Sequence, residues 1–172
     1  MLLALLLCSC KQQDLTVAAA PLDRNLPDES SNKVNIIEYN GDRVDYEIFA
    51  DRVDRFYDRR LMNAVGVEIR ALDPKTGGTT HLKADSTIVD DARNMIFAYG
   101  NVKLSSPGGM VSSNSMIWDR NLDEITAPGD VTVIRDGNTL RGQRLRTNPQ
   151  IDFAEMETVS ADGKFDSTDF DW

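Results

Sequence analysis

The sequence predicts an all-β chain built from antiparallel strand pairs, with about four copies of one unit, and three observations carry this. A short pattern recurs at Ile48-Phe49-Ala50-Asp51, Leu82-Lys83-Ala84-Asp85, Val111-Ser112-Ser113-Asn114 and Leu140-Arg141-Gly142-Gln143: an aliphatic residue, any residue, a small residue, then a side-chain hydrogen-bonder. The last three copies begin at 82, 111 and 140, a constant step of 29 residues, which falls in the range of stacked supersecondary repeats. Within each unit apolar and polar residues alternate, the period of a half-buried strand.

At the amino terminus, Leu2 to Leu7 is an apolar run too short to span a bilayer, which needs about 20 such residues. It reads as the core of a secretory signal, although no Lys or Arg precedes it, with an apolar helix end belonging to the fold as the alternative. Leu7-Cys8-Ser9-Cys10 resembles a bacterial lipobox, so residues 1–10 are assigned as signal and lipobox and Cys10 as the lipid-bearing residue. Cys8 follows the large Leu7 and fits less well. A diacyl plus an amide-linked chain would hold the protein at a membrane surface, since one chain alone binds only marginally. Residues 11–40 are largely polar and patternless and are assigned as a flexible tether.

Residues 41–165 hold the repeats. Tyr46 to Met62 has apolar residues near helical spacing, but it contains the first repeat copy and is assigned to strand. Leu82, Ala84, Ser86 and Ile88 alternate, the Asp90-Asp91-Ala92-Arg93-Asn94 turn follows, and Ile96, Ala98, Val102 and Leu104 form the return strand. The next unit repeats this with Val111 to Ile117, the turn 119–123, then Ile125, Ala127, Val131 and Val133. Gly100 and Gly129 sit inside apolar strands, where glycine marks a bulge or bend that curls a sheet. The five extra residues between the first two copies fit the Pro74 to Gly78 turn. Ala84, Ser113 and Gly142 are either inner positions where two layers meet or tolerant surface positions.

Composition removes several functions. A net charge of −9 argues against a nucleic-acid partner, which calls for a basic face. The only cysteines are Cys8 and Cys10, so the folded region offers no thiol for a disulfide, zinc or nucleophile. His81 is the only histidine and reads as a solvated loop residue. No metal site, cofactor or catalytic residue is expected. Asp90, Asp91, Asp119 and Asp123 supply carboxylates for a hydrolase, but they occupy equivalent turns, and repetition accounts for them.

Leu82-Lys83-Ala84-Asp85, the Asp90-Asp91 turn, Gly100-Asn101-Val102-Lys103-Leu104, Leu122 to Ile125, Gly129-Asp130-Val131 and Leu140-Arg141-Gly142, taken in this order, resemble the LptC family of lipopolysaccharide-transport periplasmic proteins, related to LptA and OstA. The resemblance implies an open, V-shaped antiparallel β-jellyroll whose interior shields acyl chains of lipopolysaccharide in transit. It further implies a non-enzymatic role in the periplasm, a membrane anchor in the inner membrane, an inner-membrane ABC transporter as donor, and an LptA-like or OstA-like periplasmic protein docked by edge-strand addition. Many relatives carry an amino-terminal transmembrane helix where this chain has the lipobox. The inward-phase positions expected to contact lipid are Ile88, Ile96, Val102, Leu104, Val111, Ile117, Ile125, Val131, Val133 and Leu140, each of which core packing would equally explain. Met95, Phe97, Met116 and Trp118 fall on the opposite phase, and a one-residue error exchanges the two sets.

Arg135, Arg141, Arg144 and Arg146 either meet anionic sugar phosphates or act as solubilising charge. Residues 166–172, with Phe165 just before them, form an acidic aromatic tail that is either frayed or covers a groove mouth or partner edge. The competing function is a structural or bridging β-module with a packed interior.

Overall fold

A computed structural model describes residues 25–73 and 77–162. Nine strands follow one another: β1 (Glu29–Asn40), β2 (Arg43–Phe56), β3 (Leu61–Leu72), β4 (Thr79–Asp90), β5 (Met95–Ser106), β6 (Gly109–Asp119), β7 (Glu124–Arg135), β8 (Asn138–Thr147) and β9 (Glu155–Asp162). Each pairs antiparallel with the next, giving one sheet in the order β1 to β9 that does not close. The expected tether 11–40 is thus corrected: residues 29–40 are β1, paired with β2 from Glu29 opposite Arg55 to Asn40 opposite Arg43. Tyr46 to Met62 is β2, a turn and the start of β3, with no helix. The signal and lipobox, Cys10 and the tail 166–172 lie outside the described residues.

The strands are about twice the usual length because each crosses a crease at its middle. The backbone turns left-handed there at Lys33, Gly66, Gly100, Asn101, Arg144 and Thr158, with φ between 47° and 73°. The ladders also slip there, between Lys83 and Ser86, Tyr99 and Val102, Ser113 and Ile117, and Ala127 and Asp130. Bulges bend a strand and sharpen its twist, and a row of them across neighbouring strands folds the sheet over.

The hydrogen-bonding fourth position of the repeat lies on this crease. The carboxylates of Asp51 and Asp85 sit where a Cβ on Gly66 or Gly100 would be. Asp85 accepts from Asn101 Nδ2 at 2.8 Å, Asp51 from Lys33 Nζ at 2.5 Å, and Gln143 donates to Asp130 Oδ1 at 2.9 Å.

Folding at the crease makes two leaves. The first carries the turns near residues 57–60, 91–94 and 120–123, and the second those near 41–42, 107–108 and 136–137 together with the β3 end and β4 start at 73 and 77–78. Every strand contributes to both. The turns explain the repeated aspartates: Asp90 accepts from the Arg93 backbone N at 2.9 Å and its Nε at 2.7 Å, and Asp119 accepts from the backbone N of Asn121 at 2.9 Å. Asn94 and Asp123 then adopt positive φ, which Asn and Asp tolerate better than most residues. The inner faces of the leaves close on each other in one cluster running from Tyr46 to Ile151.

Candidate functional site

The crease decides which side chains face the space between the leaves. On β4, Leu82 and Ala84 point inward, but past the slip the buried residues are Thr87, Val89 and, at the turn, Asp90. On β6, Val111 is followed inward by Met116 rather than by Ile117. On these strands the step between inward residues across the crease is odd, three from Ala84 to Thr87 and five from Val111 to Met116, so the parity of the alternation reverses. On β5 and β7 the step is four, from Ala98 to Val102 and from Ala127 to Val131, and parity is kept.

Of the expected inward positions, Ile96, Val102, Leu104, Val111, Ile125, Val131 and Val133 are therefore buried between the leaves, and Leu140 packs against them half-buried. Ile88 and Ile117 are not inward: they flank Phe97 on the outer face, each directly opposite it across a strand pair. The opposite-phase set divides. Met116 and Trp118 are inward, with Trp118 paired to Ile96 and Ile125, while Phe97 lies outside beneath the Arg93 guanidinium, 5.4 Å from its ring centroid. His81 is a strand residue, not a loop one, and its Nδ1 lies 3.6 Å from Glu68 Oε1 on the outer face.

The trough is closely filled: Ile96, Val102 and Val111 are 0% exposed and Leu104 and Ile125 1%. At the β1 end it opens into a mainly polar cavity of ≈ 660 Å³, lined by Arg60, Asp91 and Arg120 among others and reached by the apolar Ile36, Ile48, Met62 and Val89. Arg120 reaches from the first leaf to the second, donating through Nη1 to the Tyr46 hydroxyl at 2.7 Å and through Nη2 to Asp91 Oδ1 at 3.1 Å. Burial pushes the Tyr46 phenol above its usual range, against the opposing pull of the Arg120 cation, so the hydroxyl stays neutral beside the guanidinium. Arg120 Nε, Trp118 Nε1 and Thr87 Oγ1 are buried with no hydrogen-bond partner among the described residues.

Sequence reasoning did not single out the segment after β8. Residues 148–154 arch from the first leaf over to the second, where Thr80 Oγ1 donates to the Pro149 carbonyl at 3.0 Å and Ser106 Oγ to the Gln150 carbonyl at 2.5 Å. Ile151 is wholly buried at the middle of this arch. Its only local signal is one aliphatic residue between Gln150 and Asp152 in a connection marked by Asn148-Pro149.

At both ends the sheet stops at an edge with no strand beyond it among the described residues, β1 with Ile37 and Tyr39 exposed and β9 with Val159 exposed. Among the described residues no three His, Cys, Asp or Glu side chains come together as a metal site.

The family model described as "Lipopolysaccharide-assembly, LptC-related" matches residues 1–156. No curated protein matches the chain. Among solved structures, the chain is similar to LptH from Pseudomonas aeruginosa, described as the LptA-homologous periplasmic component of the conserved lipopolysaccharide transport device. The TM-score is 0.56 with 12% identity, over 69% of this chain and 94% of that one. That likeness is one of fold.

Proposed function

Since the chain belongs to the LptC-related family of lipopolysaccharide assembly, and so to lipopolysaccharide transport in the periplasm, we propose that it is a non-enzymatic carrier that shields lipid acyl chains between its two leaves. It receives them from an inner-membrane ABC transporter and passes them to an LptA-like periplasmic protein docked on an edge strand. Lipidation at Cys10 would hold it at the inner membrane.

The observation that carries this reading is the continuous apolar face, drawn from β2 to β8 and enclosed by one sheet folded on itself. An acyl chain crossing water exposes its methylenes at about 0.8 kcal/mol each, and a carrier must cover them along the whole path. The cavity at the β1 end gives that face an opening to solvent. The two edges offer unpaired backbone to a partner strand.

The experiment is photocrosslinking in cells making labelled lipopolysaccharide, with a photoreactive phenylalanine analogue at Tyr46 or Trp118, which face inward, and at Phe97, which faces out. Carrier function gives lipid adducts at 46 and 118 and none at 97. A bridging module without cargo is the second reading, favoured by how fully the interior is packed. It gives adducts at none of the three positions in folded protein.

A further inference from the structure

A lipid whose acyl chains lie in the trough while its sugar phosphates stay in water needs a slit along the mouth of the V, because a charged headgroup is not buried without heavy desolvation. The arch 148–154 crosses that slit. Resting on the carrier reading above, we propose that this arch is a displaceable strap and that the seat of Ile151 is an acyl-chain site, filled by the protein's own side chain until lipid takes it.

The strap is built as a unit. Within it the Asp152 backbone N donates to Asn148 Oδ1 at 2.9 Å, Asn148 Nδ2 to Asp152 Oδ2 at 2.9 Å, and the Ile151 backbone N to the Asn148 carbonyl at 3.0 Å. Thr147 Oγ1, at the root on β8, donates to the Phe153 carbonyl at 2.5 Å. These bonds travel with the strap when it moves.

Its attachment to the opposite leaf is of another kind: three side chains there, Thr80, Ser106 and Arg135, donate to strap carbonyls, the last to Asp152 at 3.0 Å. Water replaces such donors readily once the strap lifts. What remains is Ile151, 0% exposed at φ 58°. A β-branched residue is a genuine outlier in that region and persists only where its surroundings hold it. Its burial retains the strap, and its backbone favours release. A branched aliphatic group in an apolar wall is also the chemical equivalent of a short stretch of acyl chain, so the lipid exchanges like for like.

The test follows amide hydrogen exchange of the full-length protein with and without lipopolysaccharide micelles, beside adduct formation at position 118. The expected result is exchange at Ile151 and Asp152 about tenfold faster with lipid, with the β5 and β6 amides unchanged. In Thr80→Val/Ser106→Ala, which removes two of the donors and no apolar volume, adducts form at least fivefold faster, as expected for losing hydrogen bonds of ordinary strength. Adducts at 118 with unchanged strap exchange, or with no acceleration in the double variant, overturn the strap and leave the carrier standing. No adducts in either protein removes the carrier reading, and the strap with it.

Discussion

Gly100 and Gly129 stand 29 residues apart at equivalent places in two repeats, yet alanine should affect them very differently. Gly100 has φ 73°, and a Cβ there would collide with the Asp85 carboxylate. An L-residue in the left-handed region costs about 1–2 kcal/mol. Displacing Asp85 also breaks its 2.8 Å bond from Asn101, about another 1 kcal/mol, while the reduced freedom of the unfolded chain returns about 0.4–1 kcal/mol. The expected net loss for Gly100→Ala is therefore about 2 kcal/mol. A Cβ on Gly129 meets nothing within 4 Å and its φ is not left-handed, so only the unfolded-state gain applies, and Gly129→Ala should be neutral or stabilising by up to about 1 kcal/mol. In an Asp85→Gly background, which removes the Asp85 Cβ as well as the carboxylate, the collision is gone and Gly100→Ala should cost about 1 kcal/mol. Urea unfolding followed by tryptophan fluorescence measures all of these. The reasoning is refuted if the two glycine variants lose equal stability, or if removing the Asp85 carboxylate leaves the penalty at position 100 undiminished.

The parity reversal on β6 predicts that Met116→Ala, which empties a site 2% exposed between the leaves, costs about 2–4 kcal/mol. Ile117→Ala on the outer face should cost about 1 kcal/mol, and a urea series in which Ile117 is the more sensitive would show that β6 runs without the reversal. Asp90 predicts a pH dependence: the Arg93 backbone N–H and then its guanidinium hold the Asp90 carboxyl below its ordinary value of 3.8. A carboxyl depressed in the folded state contributes stability that is present above its unfolded value and lost as pH falls through the folded one. The urea midpoint should therefore fall as pH drops below about 4, and Asp90→Asn, which keeps an acceptor but does not titrate, should flatten that fall; parallel profiles for the two proteins would assign the acid sensitivity elsewhere.

What the sequence made legible follows from which features are local. The repeat pattern placed β2, β4, β6 and β8, and the Asp-rich turns placed the ends of β4 and β6, because strand alternation and turn chemistry are written within a few residues. The bend was legible at Gly100 and Gly129 for the same reason. It was not legible on β4 and β6, where Asp85 and Asn114 mark the crease and no glycine signals it. Unbroken alternation from Leu82 then carried Ile88 to the wrong face, and likewise Ile117. Residues 29–40 read as tether because an edge strand buries little: only Val34 and Ile36 of β1 pack against the core, too few to produce a pattern. Ile151 escaped notice since its burial depends on Thr80, Ser106 and Gly108, each more than 40 positions away in the chain.

The crease also fixes how such a trough gains length. Because each strand crosses from one leaf to the other, a hairpin adds a slice of both walls at once, and two strands at a spacing of about 4.8 Å lengthen the trough by about 10 Å for every repeat. Nine strands span about 38 Å from β1 to β9 by the same spacing. Were the walls separate sheets, a partner would have to match two edges at two positions; here one added strand on β1 or β9 continues both leaves and the apolar face between them. On the proposed carrier reading, edge pairing and an unbroken path for acyl chains therefore become a single geometric requirement, met by any partner strand that bends at the crease as Lys33 on β1 and Thr158 on β9 do.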